Sequence, residues 1–307
     1  MALTNTKSSN IARLNRRAMG VMCTATITGA SAADIALQSL AMVTELEKIW
    51  SRFIPSSDIS MLNNAGGDAI WVDPRTALLI KYMQAAHAAT CGAFNPTLLP
   101  LQLRAGDSKS LVDSKETMIP VQSHAFNSLD GITFFSDGRV SLAPGMTLDA
   151  GGIAKGLAAD LILAEAQKHG AASACINLGG DMAMSSTSDD SWPVNILEPQ
   201  DSNKTISRVH IKSGAIATST LSARHRGASG ISSHVFTLNG PQKADAVIGA
   251  SVIASTAVWA EALTKFLLTT VSQNSLQVLD EQNLAAQVFF ADGSIATTTS
   301  SWESFTS

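Results

Sequence analysis

The sequence predicts an α/β fold with a mixed sheet of the α+β kind, contained in a single domain. Segments with apolar residues at helical spacing follow segments in which apolar and polar residues alternate, so helices and strands occur together. Hydrophobic residues make up 45% of the 307 residues and charged residues 15%, which is typical of a globular protein with a sizeable core. No composition break divides the chain. We therefore interpret residues 17–307 as one domain that follows a polar leader of residues 1–16.

The first half of the chain predicts one strand, two helices and a hairpin. Asp73 and Pro74 are typical of a helix start, as a capping residue and a first-turn residue. Asp137 and Gly138 are typical of the turn that joins two hairpin strands. The predicted ranges are 21–28 for the strand, 31–53 and 73–92 for the helices, and 131–142 for the hairpin.

The second half predicts two helices among several strands. The first helix opens near Lys155 and stops at Gly170, and the second covers residues 256–269 with Ser255 as its cap. The repeated order of strand, helix and strands is also consistent with an internal duplication of the domain. The predicted strands cover residues 171–177, 193–197, 206–211, 215–218, 247–253 and 287–290.

The composition argues against several classes of protein. The net charge of -4 provides no basic surface for nucleic acid, so we expect no nucleic-acid partner. Cys23, Cys91 and Cys175 lie far apart without the spacing of metal ligands, which favours reduced thiols over disulfides or a zinc site. No apolar run reaches the roughly 18 residues that suggest a membrane span. Because the leader shows no apolar export segment, we expect a cytoplasmic protein.

The most informative segment is residues 148–160, with the sequence LDAGGIAKGLAAD, at the start of a predicted helix. Its glycines let backbone N–H groups approach a ligand, and a helix start carries partial positive charge, so together they favour an anion such as phosphate. Lys155 adds a mobile positive charge, and Asp149 can accept a hydrogen bond from a ribose or a ring N–H. The alternative is a strand-to-helix turn in which Asp149 only caps the helix.

Other segments carry groups suited to a site, and each also has a purely structural interpretation. Phe94 can stack on a planar ring, but it also suits the core behind a helix end. Residues 51–63 are rich in side chains that bond their own backbone, which is typical of a capped loop. His234 precedes a predicted hairpin turn, where a lone histidine is usually structural. Glu261 and Lys265 are four residues apart on one helix face, a spacing that commonly gives a surface ion pair.

Taken in order along the chain, these segments resemble the FAD:protein FMN transferases, the ApbE family. The resemblance runs from about residue 17 to residue 290, and it rests on many motifs in the family's order rather than on any one of them. The matching segments are Met19-Gly20-Val21, residues 51–63, 92–97, 148–156 and 177–181, Ala217-Thr218-Ser219, His234 and the helix over 257–268.

The resemblance implies a transferase that cleaves FAD, attaches the FMN part through a phosphoester bond to a Ser or Thr hydroxyl of a target protein, and releases AMP. FAD and the target protein are then the partners, and magnesium is the metal. His234 takes the proton from the attacking hydroxyl, and Lys155 neutralises charge on the pyrophosphate. The matching positions imply FAD contacts by Met19, Ala93, Phe94, Asn95, Asp149, Lys155 and Phe236, and magnesium ligands at the Gly152 carbonyl and Glu261, with Thr264 as the nearest hydroxyl on the same helix.

Several positions depart from the family pattern. Glu261 stands where the family has Asp, and Lys265 stands where it has Thr. Because an ammonium cannot be a magnesium ligand, we hypothesise that Lys265 takes part of the cation's place and reduces the dependence on magnesium. The loop after His234 is one residue shorter and lacks the family's Asp and Pro. Val21 and Asn95 replace a Thr and an Asp.

Two alternative functions therefore stay open. The altered loop after His234 favours a protein that binds FAD without chemistry, whereas Asp149, Lys155, His234 and Glu261 favour catalysis. If water replaces the protein hydroxyl, the same site hydrolyses the FAD pyrophosphate to FMN and AMP.

Overall fold

The computed structural model describes residues 11–110, 115–201, 203–221, 235–241, 247–270 and 273–306. None of the helices within these ranges combines the length and the apolar character that crossing a bilayer requires. The helices are α1 (Ala32–Trp50), α2 (Asp58–Asn64), α3 (Pro74–Ala89), α4 (Leu99–Arg104), α5 (Ala154–Lys168), α6 (Ala257–Thr269), α7 (Gln273–Glu281) and α8 (Ser300–Glu303).

The strands belong to one large sheet and three small ones. They are β1 (Ile11–Ala18), β2 (Val21–Thr28), β3 (Ile70–Trp71), β4 (Thr133–Phe134), β5 (Arg139–Ser141), β6 (Ser173–Leu178), β7 (Asp181–Ser186), β8 (Trp192–Leu197), β9 (Thr205–Ile211), β10 (Gly214–Thr220), β11 (Phe236–Thr237), β12 (Gly240–Pro241), β13 (Val247–Ala254), β14 (Ala285–Phe290) and β15 (Ile295–Thr297).

The large sheet is the middle layer of the fold. Its strand order is β1-β2-β6-β7-β10-β13-β14-β15, and each neighbouring pair is antiparallel. Successive side chains of a strand point to opposite faces. Ala174 and Ile176 of β6 accordingly lie in the core that includes α1 and α5, whereas Cys175 packs with the β8–β9 hairpin on the other face. Helix α6 lies beside α5 and covers β10 and β13.

The predicted fold class is confirmed, because helices and an antiparallel sheet of eight strands build one fold. Helices α1, α3, α5 and α6 lie where helical spacing predicts them, and β4 and β5 pair as the predicted hairpin. Strands β2, β6, β8, β9, β10, β13 and β14 overlap their predicted ranges. The internal duplication stays a prediction.

Strand β1 differs from the prediction, because its residues 11–16 fall in the predicted polar leader. They form the edge of the large sheet and pair with β2. The alternating pattern is hidden in the sequence because Arg16 occupies an inward position that an apolar residue would mark. Its guanidinium donates to the Leu40 carbonyl at 3.2 Å and to Thr44 Oγ1 at 3.3 Å, so acceptors on α1 satisfy its hydrogen-bonding groups. A polar residue can thus stand inside an amphipathic strand when a helix offers it acceptors.

Residues 51–63 also differ from the prediction of a loop, because they contain helix α2. Ser57 is the N-cap of this helix, and its hydroxyl accepts a hydrogen bond from the Ser60 backbone N–H at 3.1 Å. Asn63 lies near the end of the helix. Its Oδ1 accepts from the Leu148 backbone N–H at 2.7 Å, and its Nδ2 donates to the Leu148 carbonyl at 2.9 Å. The segment therefore fixes the start of the motif at 148–160.

Helix α6 begins differently from the prediction. Thr256 is its N-cap rather than Ser255, and the Thr256 side chain makes no capping hydrogen bond. The carboxylate of Asp160 in α5 accepts from the backbone N–H groups of Ala257 and Val258 instead, each at 2.8 Å. A residue distant in sequence thus caps the helix, which the local pattern could not reveal.

Gly156 allows helices α5 and α6 to approach each other. A Cβ built on Gly156 would lie 2.3 Å from the carbonyl oxygen of Ala257, so any other residue would push the helices apart. The Gly156 backbone N–H donates to Oε2 of Glu261 at 2.7 Å across the same contact. The close approach therefore fixes the position of the carboxylate that α6 carries toward the site.

Candidate active site

A cavity of about 770 Å³ lies where the β1–β2 turn, the end of α1, the start of α5 and the ends of β7 and β10 meet. This volume falls within the roughly 300–1,000 Å³ of pockets that bury ligands of drug size. The sequence-predicted residues that line it are Met19, Ala93, Phe94, Asn95, Asp149, Gly152, Lys155 and Phe236.

The other predicted site residues lie behind this lining or outside the described part of the chain. Glu261 and Thr264 have no exposed surface, but Glu261 contacts Lys155 directly. His234 lies outside the described residues. Phe236, two positions later, is buried and begins the small β11–β12 pair, whose turn is where the sequence predicts a hairpin.

Met19 reaches the cavity through a tight turn between β1 and β2. Met19 and Gly20 both have positive φ angles, +49° and +76°, which is the backbone of a two-residue hairpin with a type I′ turn. A positive φ is unusual for methionine. Oε1 of Glu47, on α1, accepts from the Met19 N–H at 2.7 Å and holds this conformation.

Phe94 and Asn95 come from the turn that follows α3. Phe94 is 4% exposed, belongs to the main core as its structural interpretation expects, and also lines the cavity. The Asn95 amide donates to the Phe126 carbonyl at 2.8 Å, and its Oδ1 accepts from the backbone N–H and the hydroxyl of Thr97. The Asn95 side chain therefore organises the turn, and an uncharged amide suits that task because it both donates and accepts.

Asp149 faces the cavity and does not cap α5. The N-cap of the helix is Ile153, which carries no capping side chain. Oδ1 of Asp149 accepts from the Gly151 backbone N–H at 3.2 Å, and the same oxygen lies 3.6 Å from Nε of Arg52. The interpretation of Asp149 as a simple helix cap is therefore wrong.

Arg52 is a site residue that the sequence reasoning missed. Its side chain is 8% exposed and lines the cavity. It forms an ion pair with Asp107 at 3.1 Å, lies near Asp149, and its guanidinium carbon is 4.5 Å above the centre of the Phe53 ring. Arg52 lies inside the polar segment at 51–63, which the sequence singles out. No local feature of that segment indicates that its side chain is buried.

Lys155 is the centre of a buried ion cluster. Its Nζ lies 2.6 Å from Oδ2 of Asp181, at the start of β7, and also bonds Oε1 of Glu261. Asp181 is 4% exposed at its side chain and Glu261 is fully buried, so each carboxylate depends on this ammonium. Asp181 lay in the matching segment 177–181, although the sequence reasoning gave it no role.

Lys265 joins the same cluster from α6. Its Nζ donates to Ser219 Oγ at 2.9 Å and to Thr264 Oγ1 at 3.3 Å, and it lies 3.7 Å from Oε1 of Glu261. The two hydroxyls also bond each other at 2.8 Å. Lys265 thus rests among neutral oxygens, with one carboxylate at longer range.

The two lysines have opposite shifts in pKa. Burial lowers the pKa of Lys155, but Asp181 and Glu261 outweigh it and raise this pKa well above its ordinary value. Burial lowers the pKa of Lys265 below its ordinary value, and the attraction of Glu261 offsets only part of that effect.

The two carboxyl groups also differ from each other. Burial raises the pKa of Asp181 to about 6, and repulsion from Glu261 acts in the same direction. Burial also raises the pKa of Glu261, but the ammonium groups of Lys155 and Lys265 outweigh it and hold this pKa below its usual range. Glu261 is therefore the more firmly ionised of the two.

The residues predicted as magnesium ligands do not fit a divalent ion as they are arranged here. Magnesium needs close oxygen ligands at about 2.0–2.1 Å. Oε1 of Glu261 is held by Lys155 and Oε2 by the Gly156 N–H, while Lys265 lies beside Thr264. Within the described ranges, no three His, Cys, Asp or Glu side chains converge as metal ligands do.

Comparison with solved structures gives the same fold over nearly the whole chain. The crystal structure of the ApbE protein from Thermotoga maritima has a TM-score of 0.85 at 21% identity, and the match covers 97% of this chain and 99% of that one. Flavin transferase ApbE from Vibrio cholerae has a TM-score of 0.79 at 18% identity, with 97% and 99% covered. The apo form of the Pseudomonas stutzeri flavinyl transferase ApbE has a TM-score of 0.79 at 18% identity, with 97% of each chain covered.

Sequence comparison identifies the family. A search of curated proteins gave no match. The sequence model of the ApbE family matches residues 19–290, which include each described segment that lines the cavity apart from its rim at Arg17 and Ala18. Because this match spans most of the 307 residues, the chain belongs to the ApbE family.

Proposed function

We propose that the protein transfers the FMN part of FAD to a Ser or Thr hydroxyl of a target protein and releases AMP. Two structures with this fold carry the names flavin transferase and flavinyl transferase, and membership of the same family supports a related activity here. The observation that carries the proposal is the cavity, because the residues that the family resemblance assigns to FAD line it together.

In this proposal Met19, Ala93, Phe94, Asn95, Asp149 and Phe236 contact FAD, and Lys155, which the resemblance also assigns to FAD, holds Asp181 and Glu261. Phe94 and Phe236 are buried aromatic side chains and supply apolar surface for a planar ring. Asp149 supplies a carboxylate that can accept a hydrogen bond from the nucleotide. Arg52 and Lys155 hold Asp149, Asp181 and Glu261 in place, so the acidic groups around the ligand are fixed before it binds.

The proposed reaction is an in-line displacement at the flavin-side phosphorus. The target hydroxyl oxygen forms a bond to this phosphorus, and the bond from the phosphorus to the bridging oxygen breaks. AMP leaves with the bridging oxygen, and the hydroxyl proton passes to His234, since an imidazole titrates near neutral pH. The role of His234 rests on its place in the sequence. Because Gly152, Glu261 and Thr264 do not fit magnesium here, no step is assigned to the metal.

The decisive experiment measures AMP release from FAD with and without a candidate acceptor protein, together with the mass of the acceptor. AMP that appears only with the acceptor, along with a mass increase of one FMN phosphoester, supports the transferase. AMP without acceptor indicates a hydrolase that yields FMN and AMP. FAD binding without AMP indicates the binding protein that the altered loop after His234 favours.

His234→Ala separates binding from catalysis within this proposal. We expect a fall in turnover of about 100-fold or more with little change in FAD affinity, as general-base catalysis contributes about that much. His210→Ala is the matched control, because His210 is exposed on β9 and does not line the cavity. A loss of FAD affinity without a loss of turnover would make His234 a binding residue instead.

A further inference from the structure

The ammonium of Lys265 lies beside two of the predicted magnesium ligands, Glu261 and Thr264. It lies 3.3 Å from Thr264 Oγ1 and 3.7 Å from Glu261 Oε1. A Cβ built on Gly152 would lie 3.7 Å from Cε of Lys265, so the Lys265 side chain also passes close to the Gly152 backbone. A lysine side chain thus lies where the predicted metal ligands meet the cavity.

We propose, on the basis of the proposed function, that Lys265 is a built-in cation that binds the FAD pyrophosphate in place of a divalent metal ion. Lys265 lines the cavity, and its side chain is 15% exposed, so a ligand can reach it. An ammonium has three N–H donors. The hydroxyls of Ser219 and Thr264 accept two of them at 2.9 and 3.3 Å, and the third faces only the more distant Glu261 at 3.7 Å, so a phosphate oxygen can compete for it.

The charges of the cluster support a site without a divalent ion. Asp181 and Glu261 carry two negative charges, and Lys155 and Lys265 carry two positive charges, so the four groups already balance. A divalent ion would add two positive charges beside both ammonium groups. Repulsion between charges separated by a few ångströms is strong inside a protein, so the added ion would be expelled unless Lys265 moved away.

Lys155 is less suited than Lys265 to bind the pyrophosphate. Its ammonium contacts both carboxylates of the cluster, and these neutralise its charge. Lys265 has hydroxyls as its nearest neighbours, and hydroxyls hold an ammonium in place without neutralising it. Lys265 therefore carries the positive charge that a phosphate group can use, whereas Lys155 organises the acidic groups.

The test is the affinity of the full-length protein for FAD, measured in excess EDTA and again in excess magnesium. We expect the wild-type dissociation constant to change by less than about twofold between the two conditions. In Lys265→Thr, which restores the family's hydroxyl, affinity should fall about tenfold in EDTA and recover with magnesium. In Lys265→Met, affinity should fall in both conditions. Magnesium dependence of the wild type, at about tenfold or more, would overturn the proposal.

A second measurement tests the cation site without FAD. Binding of manganese, followed by its electron paramagnetic resonance signal, should be absent in the wild type and stoichiometric in Lys265→Thr. Stoichiometric manganese bound to the wild type, and lost in Glu261→Gln, would overturn the proposal. If neither protein bound FAD, the proposed function would fail, and the manganese experiment would still decide whether Lys265 replaces the metal.

Discussion

Two lysines on neighbouring helices contact the same carboxylate and yet have different tasks. Lys155, in the first turn of α5, contacts both Asp181 and Glu261. Lys265, in the middle of α6, contacts two hydroxyls and lies 3.7 Å from Glu261. Burial lowers the pKa of both lysines, and the two carboxylates reverse that effect only at Lys155, because carboxylates stabilise an ammonium far more than hydroxyls do.

A lysine in a glycine-rich, anion-binding motif is therefore not necessarily the one that contacts the ligand. The glycine-rich segment at 148–156 favours Lys155 as the anion-binding residue, but in the structure that side chain holds the acidic cluster together. The spacing of Glu261 and Lys265 predicts an ordinary i, i+4 surface pair. The fold buries Glu261 completely, which turns the pair into part of the site.

Removing the ammonium of Lys155 should have the largest effect on stability. Lys155→Met leaves Asp181 without the ammonium and leaves Glu261 with a weaker set of partners. Loss of one partner of a buried ion pair costs about 3–5 kcal/mol, and we expect a loss of that size in the free energy of unfolding. Urea denaturation of the purified variant at neutral pH measures it.

The double variant Lys155→Met, Asp181→Asn is the matched control for this prediction. It removes one buried negative charge together with the positive one, and Glu261 keeps Lys265 and the Gly156 N–H as partners. We expect it to recover at least half of the stability that Lys155→Met loses. A loss below about 1 kcal/mol in the single variant would be typical of an exposed pair and would contradict the structural role of Lys155.

Much of the fold could be predicted from the sequence, because local signals decide the long elements. Helical spacing and the Asp73–Pro74 start signal were sufficient for α1 and α3, and alternation was sufficient for β2. Strand β1 was missed because Arg16 occupies an inward position. The cap of α6 was missed because Asp160 lies on another helix.

The candidate site could be predicted in its outline but not in its internal contacts. The order of motifs placed Met19, Phe94 and Asp149 around one cavity, as the structure has them. Spacing along the chain does not reveal which charges meet, so the pairing of Lys155 with Asp181 was not predicted. Arg52 was missed for the same reason, since its partners come from loops that are distant in sequence.

A substitution at Gly156 tests whether the two lysines depend on the close contact of α5 and α6. Alanine normally stabilises a helix relative to glycine by about 1 kcal/mol. In Gly156→Ala the new Cβ would lie 2.3 Å from the Ala257 carbonyl, so the helices must separate. We expect a net loss of about 3 kcal/mol in the free energy of unfolding, measured by urea denaturation.

Ala164→Gly is the control for the helix contribution, because Ala164 is an exposed residue of α5. This variant should lose only the propensity of alanine, about 1 kcal/mol. If Gly156→Ala proved more stable than the wild type, the close contact of α5 and α6 would be refuted. The fixed distance between Lys155 and Lys265 would then be refuted as well.

The carboxylate of Asp160, which caps α6, should make the free energy of unfolding depend on pH. Burial raises the pKa of Asp160 to about 6, partly opposed by the hydrogen bonds from Ala257 and Val258. The native state therefore holds this proton over a pH range in which the unfolded chain has lost it. The resulting stabilisation is complete below about pH 4 and is lost as the pH rises through 6.

Asp160→Asn isolates this effect, because asparagine does not titrate. The free energy of unfolding of the wild type, minus that of the variant, should decrease between pH 4 and pH 7 by about 3 kcal/mol at most, since one pKa unit corresponds to about 1.4 kcal/mol. Urea denaturation at several pH values measures the difference. A difference that is constant with pH would show that Asp160 titrates alike in both states.

Lys265→Met should have the smallest effect on stability, although Lys265 lies in the same cluster as Lys155. Ser219 and Thr264 still bond each other at 2.8 Å, and Glu261 still has Lys155 and the Gly156 N–H. Because no buried group loses its last partner, we expect a loss below about 1 kcal/mol in urea denaturation. A loss as large as that of Lys155→Met would make both lysines structural. A small loss of stability together with weak FAD binding would show that Lys155 stabilises the fold and that Lys265 binds the ligand.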